Sequence, residues 1–166
     1  MTTLKKNKLL TTFSIIAGLI LGLFVWTNAI RNDFRTLENG SNFAWNQLEI
    51  EIKHQASYFP EIIRNLPEDK KLENMKKFHE IYSQIAISNT LNEYAVSYQN
   101  LHSFLETIAS TTNFNNDTFL KLNLRINDEA MLFNQHVSLY NTQLSVFPKN
   151  KVAQSFNLTQ LKQFNI

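Results

Sequence analysis

The sequence predicts an all-α protein, an N-terminal transmembrane helix followed by an elongated antiparallel four-helix bundle. Three observations lead there. The stretch from Leu9 to Ile30 carries no charged residue and follows directly on Lys5, Lys6 and Lys8. Beyond it, apolar residues recur at gaps of three and four, the spacing of one helix face. The whole chain holds three glycines and three prolines, and two of those glycines lie inside the uncharged stretch, which leaves little for the turns of a β fold.

The uncharged stretch comes first in the chain. At 1.5 Å per residue it makes a helix of roughly 33 Å, long enough to cross a hydrocarbon core of about 30 Å. A cleaved signal peptide competes with this reading, since Thr27-Asn28-Ala29 passes as a poor cleavage site. The apolar run is longer than an ordinary signal core, however, and favours an anchor. Trp26 occupies the place of an interfacial aromatic. The three lysines before the span outweigh Arg31 and Arg35 after it, with Asp33 close by. That bias predicts a single-pass protein of the cell (inner, cytoplasmic) membrane, with the N-terminus on the cytoplasmic side and the bundle outside the cytoplasm. Ser14, Gly18 and Gly22 share one face at a spacing of four, a small-xxx-small pattern that lets a second helix approach closely.

The rest divides naturally. Residues 1–8 form a short basic tail, 9–30 the transmembrane helix, 31–148 the bundle and 149–166 a C-terminal tail that packs back on it. A first bundle helix carries Phe34, Leu37, Ala44, Trp45, Leu48, Ile52, Ala56, Phe59, Ile63 and Leu66. Gly40 interrupts it at a cost of about 1 kcal/mol relative to Ala. Pro60 removes one helix hydrogen bond and predicts a kink near Ala56 rather than a reversal. Pro67-Glu68-Asp69 reads as the start of a second helix, with acids at the positive end of its dipole. Its stripe is Leu72, Met75, Phe78, Tyr82, Ile85 and Ala86. Thr90 and Glu93 match a capping box and open a third helix bearing Leu91, Tyr94, Tyr98, Leu101, Leu105 and Ile108. A polar loop from Asn113 to Thr118 follows, with Asp117 as the expected N-cap of the fourth helix. That helix carries Leu122, Ile126, Phe133, Val137, Tyr140 and Leu144, and Pro148 ends it. Val152, Phe156, Leu158, Leu161 and Phe164 make the tail too apolar for disorder.

Little in this chain suggests chemistry. It has no cysteine, which excludes thiol catalysis, disulfides and thiolate metal sites. Glycine at 18, 22 and 40 alone rules out the glycine patterns of phosphate-binding loops. His54, His79, His102 and His136 form no metal-binding spacing; His79-Glu80 begins such a motif without its second half. His102 and Glu106, four apart, read as a surface pair. Asp128-Glu129 are neighbours on a helix and point apart. The net charge of +2 with no basic stripe argues against nucleic acid. Three Asn-x-Ser/Thr sequons, at Asn39, Asn116 and Asn157, are expected by chance in so Asn-rich a chain. No catalytic residue, metal site or cofactor is assigned.

At two places the order of residues is itself informative. Ala44-Trp45-Asn46-Gln47-Leu48 runs through Ile52 to Phe59-Pro60-Glu61-Ile62-Ile63. Tyr140-Asn141-Thr142 runs through Leu144 to Phe147-Pro148, then Asn150, Val152-Ala153 and Phe156. Both segments resemble the LemA family of bacterial envelope proteins. Asn32 is similar to the Asn of a family Tyr-Asn pair, with Arg31 in the Tyr place, and Phe133-Asn134 is similar to the second such pair. The chain departs from the pattern at Gln55 and Ser57, where the family has Arg and Asp, and at Glu129-Ala130, where an Ala-Arg is common. The resemblance implies a single membrane helix leading into a long-helix bundle, and it imports no activity. It marks Asn32, Trp45, Pro60, Asn134, Tyr140, Asn141, Phe147 and Pro148 as structural positions, with each ring and amide paired between helices and each proline setting a bend or a stop.

The expected partners are the lipid bilayer and other envelope proteins, with self-association through the Ser14, Gly18 and Gly22 face as a further expectation. The function expected is that of a scaffold or modulator acting by protein–protein contact. A ligand-sensing bundle with an interhelical pocket at Trp45, Tyr140 and Asn141 is the alternative. An enzyme ranks behind both.

Overall fold

The computed structural model describes residues 2–112, 114 and 116–165; for residues 2–10 and 116 this covers the backbone only. Asn113 and Asn115 of the expected polar loop, and the side chains of Lys5, Lys6 and Lys8, lie outside the described residues. Among the described residues every regular element is helical. The order is α1 (Thr2–Ser57), α2 (Phe59–Ile62), a single 3-10 turn (Ile63–Asn65), α3 (Glu68–Ile87), α4 (Leu91–Thr111), α5 (Asn116–Ser145) and α6 (Lys149–Ser155).

Helix α1 runs 56 residues without a break, roughly 84 Å at 1.5 Å per residue. Its first half is long and apolar enough to cross a membrane. There Phe13, Ile15, Ile16, Leu19, Ile20 and Leu23 are exposed, whereas Ile30 and Phe34 are buried. Contact with the rest of the protein thus begins at the last residue of the uncharged stretch. No loop separates that stretch from the core.

The second half of α1 packs chiefly on α5. Along this seam Phe34 meets Tyr140, Trp45 meets Phe133 and Gln55 meets Asn123. Leu48, Ile52, Leu101, Leu105, Ile126 and Val137 are fully enclosed, each burial contributing roughly 1.5–3 kcal/mol. Gly40 faces the same seam. A Cβ placed there would stand 3.0 Å from Nδ1 of His136, so the missing side chain is what lets the histidine ring lie against α1.

α1 stops at Ser57, and Pro60 falls in the first turn of α2, where its missing N–H breaks no helix bond. Tyr58 keeps helical angles, so the interruption falls two residues beyond the expected Ala56 and the chain does not reverse there; Leu66 then turns extended ahead of Pro67. Phe59 stacks flat on Phe78 of α3 at 3.9 Å between ring centres. α3 packs mainly on α4. The expected stripe of α3 is buried only at its far end: Ile85 is enclosed, but Leu72 is 61% and Met75 52% exposed. The first turns of α3 leave Leu72 and Met75 open to solvent, so helical spacing there does not translate into burial.

Two end signals behave differently from expectation. Thr90 caps α4 by accepting from the Glu93 N–H at 3.2 Å, while the Glu93 carboxylate accepts from Asn89 N–H at 2.9 Å rather than from Thr90. Asp117 is not an N-cap, because α5 already starts at Asn116. Its carboxylate lies in the first turn, at the positive end of the helix dipole. At the other end α5 stops at Ser145, ahead of a cis Phe147–Pro148 peptide, and Pro148 becomes the N-cap of α6.

Gly40→Leu is expected to lower the urea midpoint of the detergent-solubilised protein, followed by circular dichroism, because the new side chain displaces the His136 ring. His136→Ala in the same chain should recover a large part of the loss. Full loss in both would show that the strain lies in the backbone and not at this contact.

Candidate functional site

Beyond α6 the chain turns at Asn157 and then runs on with neither helix nor strand, and such a segment lying on a helix must find partners for its backbone groups. Two asparagines of α5 provide them. Asn134 Nδ2 donates to the Phe164 carbonyl at 2.8 Å, and its Oδ1 accepts from the Phe164 N–H at 2.8 Å. Asn141 repeats the arrangement on Leu161, with both bonds at 2.9 Å. The spacings match: seven residues of helix advance about 10.5 Å, and three residues of extended chain about 10 Å. Each asparagine thereby acts as a short piece of neighbouring strand.

This clasp seats Phe164, which is 1% exposed, against the ring of Trp45. Trp45 also meets Tyr94 at 4.9 Å and Phe133 at 5.4 Å between ring centres. A second cluster lies nearer the apolar end of α1, where Ile30 and Phe34 pack with Tyr140, Val152 and Ala153. The Arg31 guanidinium covers the Phe156 ring at 4.5 Å, and Lys149 Nζ reaches Asp33 at 3.3 Å. Arg31 is thus a cationic partner of an aromatic ring.

A cavity of about 620 Å³ opens beside Trp45. Its walls come from α1, α3, α4 and the turn between them, α5 and the tail, and its apolar part includes Trp45, Tyr82, Ile85, Tyr94, Phe133 and Leu161. Glu49 and Lys53 stand at its rim, 3.3 Å apart. Tyr94 is 6% exposed, and its hydroxyl is buried without a hydrogen-bond partner. Burial pushes the Tyr94 hydroxyl well above its usual range, with the Glu49 carboxylate and Tyr82 adding to the effect, so it stays protonated.

Of the residues singled out from sequence, Trp45, Asn134 and Asn141 gather around the docked tail. Only Trp45 lines the cavity; Tyr140 and Asn141 do not, so the pocket expected from those three residues is a different set. Tyr140 faces Phe34 at 5.8 Å in the second cluster. Asn32 is exposed, and so are Pro60 and Phe147. Gly18 and Gly22 have open space where a side chain would project.

Sequence reasoning missed one buried polar cluster. Gln55 is fully enclosed, although the sequence marked it for no buried role. Its Nε2 donates to Asn123 Oδ1 at 2.5 Å and lies 3.4 Å from His102 Nδ1, while its Oε1 is buried without a partner. A buried amide network thus joins α1 to α5 beside His102. The Ser57 hydroxyl donates to the His54 carbonyl at 2.6 Å. His102 stacks on Phe119 at 5.9 Å, and its Nε2 is 4.0 Å from Glu106. Burial lowers the His102 pKa from 6.5, with Glu106 opposing the shift. Among the described residues no three His, Asp or Glu side chains are grouped to hold a metal ion.

Comparison of the chain with protein-family models, with characterised proteins and with solved structures finds no match.

Asn134→Ala and Asn141→Ala are each expected to free the tail, seen as faster amide hydrogen exchange over residues 158–164, at a stability cost of about 1–3 kcal/mol. Unchanged exchange in the double variant would mean that Phe164 burial alone holds the tail. For His102 the unfolded chain takes up the proton near pH 6.5 and the folded chain only lower. Its contribution to stability is therefore complete above that pH and is lost as the pH falls below it. The thermal midpoint should drop between pH 7.5 and 5, and His102→Gln should flatten that dependence.

Proposed function

We propose that the chain is a single-pass membrane protein of LemA type whose four long helices form an elongated antiparallel bundle. It acts by protein–protein contact, as a scaffold or modulator of other proteins in the bacterial envelope. The observation that carries this reading is the unbroken course of α1 from its exposed apolar half into the packed core. Within the apolar half, Thr27 Oγ1 and Asn28 Nδ2 donate to the carbonyls four residues back, at 2.7 and 2.8 Å. Polar side chains at the end of a span are expected to be satisfied in this way.

The lysines ahead of the span favour an N-terminus inside and a bundle outside the cytoplasm. Contact surfaces are not lacking. On α5, Leu132 and Leu139 are 44% and 54% exposed, seven residues apart on the side away from α1. A stiff helical join would hold such a surface at a set height above the bilayer. The Ser14, Gly18 and Gly22 face is the proposed contact for self-association within the membrane.

A photo-reactive residue at Leu139, irradiated in intact membranes, should yield adducts of defined mass that are absent with the same group at Lys70. Adducts only to lipid, or none, would remove the scaffold reading. In spheroplasts, external protease should digest the bundle; protection would reverse the orientation.

A further inference from the structure

The cavity beside Trp45 has a composition that the scaffold reading does not use. We propose that it is a binding site for a small amphipathic organic cation, an aryl or alkyl body carrying a protonated amine. The inference stands independently of the scaffold reading.

Three observations combine. The volume of about 620 Å³ lies within the usual range for small-molecule sites, about 300–1,000 Å³. The walls are aromatic. Trp45, Tyr82 and Tyr94 come together from α1, α3 and α4, and aromatic faces attract an ammonium group through their quadrupole. Among the lining residues Glu49 is the one acid, Lys53 and Lys162 are the bases, and the remaining polar groups are neutral hydroxyls and amides. Glu49 supplies a carboxylate, and the Tyr94 hydroxyl is buried with no partner in the protein. A buried hydroxyl left unmatched costs about 1–3 kcal/mol, so it gains more from an arriving polar group than a solvated one does. An ammonium supplies donors for both oxygens.

The opposing charges define the competition. Lys53 holds Glu49 at 3.3 Å, but its side chain is 54% exposed, and an exposed pair four residues apart on a helix is easily exchanged. The protein's own ammonium therefore occupies the carboxylate from the solvent side, and the ligand's would replace it from the cavity side. Lys162, on the tail, also borders the cavity. Because Leu161 forms part of the same wall and is held by Asn141, the site is complete only with the tail docked.

The test is isothermal titration of the full-length chain in phosphatidylcholine nanodiscs with 2-phenylethylamine, its alcohol analogue 2-phenylethanol and the anion 3-phenylpropionate. The amine should bind saturably, and the other two at least tenfold more weakly. Glu49→Gln should weaken amine binding about tenfold, the order of one charge-assisted contact. Tyr94→Phe should weaken it while leaving thermal stability unchanged or raised, since the hydroxyl it removes has no protein partner. Lys53→Gln should tighten it, by removing the competitor. Equal binding of alcohol and amine, no effect of Glu49→Gln, or weakening by Lys53→Gln with preference for the anion would each overturn the proposal. So would the absence of saturable binding up to about 10 mM.

Discussion

A segment with neither helix nor strand, laid on a helix, has no ladder to join, and its amides and carbonyls cannot be left dry and unpaired. In this protein the problem is solved by two asparagine side chains, each presenting a carbonyl and an amino group in the plane that a neighbouring strand would use. The solution works because the helix repeat over seven residues and the strand repeat over three cover the same distance. Much else depends on it. With the tail docked, Phe164 is sealed against Trp45, Leu161 forms a wall of the cavity, and the aromatic cluster on α1, α4 and α5 is shielded from water.

The second constraint lies along the α1–α5 seam. It carries small or polar residues at particular points instead of a uniform apolar stripe. Gly40 makes room for His136, and Ser41 is buried with its hydroxyl turned back to the Leu37 carbonyl at 3.1 Å. Gln55 sits fully enclosed among Asn123 and His102. Such groups add little net stability, since each hydrogen bond replaces one with water. They do penalise any sliding of α1 along α5, because a slip would strand a buried amide. Register along so long a seam is thereby specified at its two ends, by the Gln55–Asn123 bond and by the Phe34–Tyr140 contact, while Arg31–Phe156 and Asp33–Lys149 tie α1 to the α6 region.

That register matters for the proposed role. Helix α1 has no joint between its apolar half and its packed half, so the orientation of the core relative to the bilayer would follow from the helix itself. A protein that presents contact surfaces to neighbours in the same membrane benefits from such stiffness, since each freely jointed link would add conformational entropy to be lost on binding.

The sequence by itself determined the helical class, the apolar span, the core positions of α1, α4 and α5, and an interruption of the helix close to Pro60. These follow from local periodicity and from the backbone chemistry of proline, and both act within a few residues. It also singled out Asn134 and Asn141, through a resemblance in residue order, but assigned them to contacts between helices. Only the tertiary structure decided that they clasp the tail, that Gln55 is buried, that Trp45 shares a cavity with Tyr94 and not with Tyr140, and that Leu72 and Met75 stay exposed. Each of these depends on what a distant segment places opposite the residue. A helical period says which side chains share a face; it does not say whether anything covers that face.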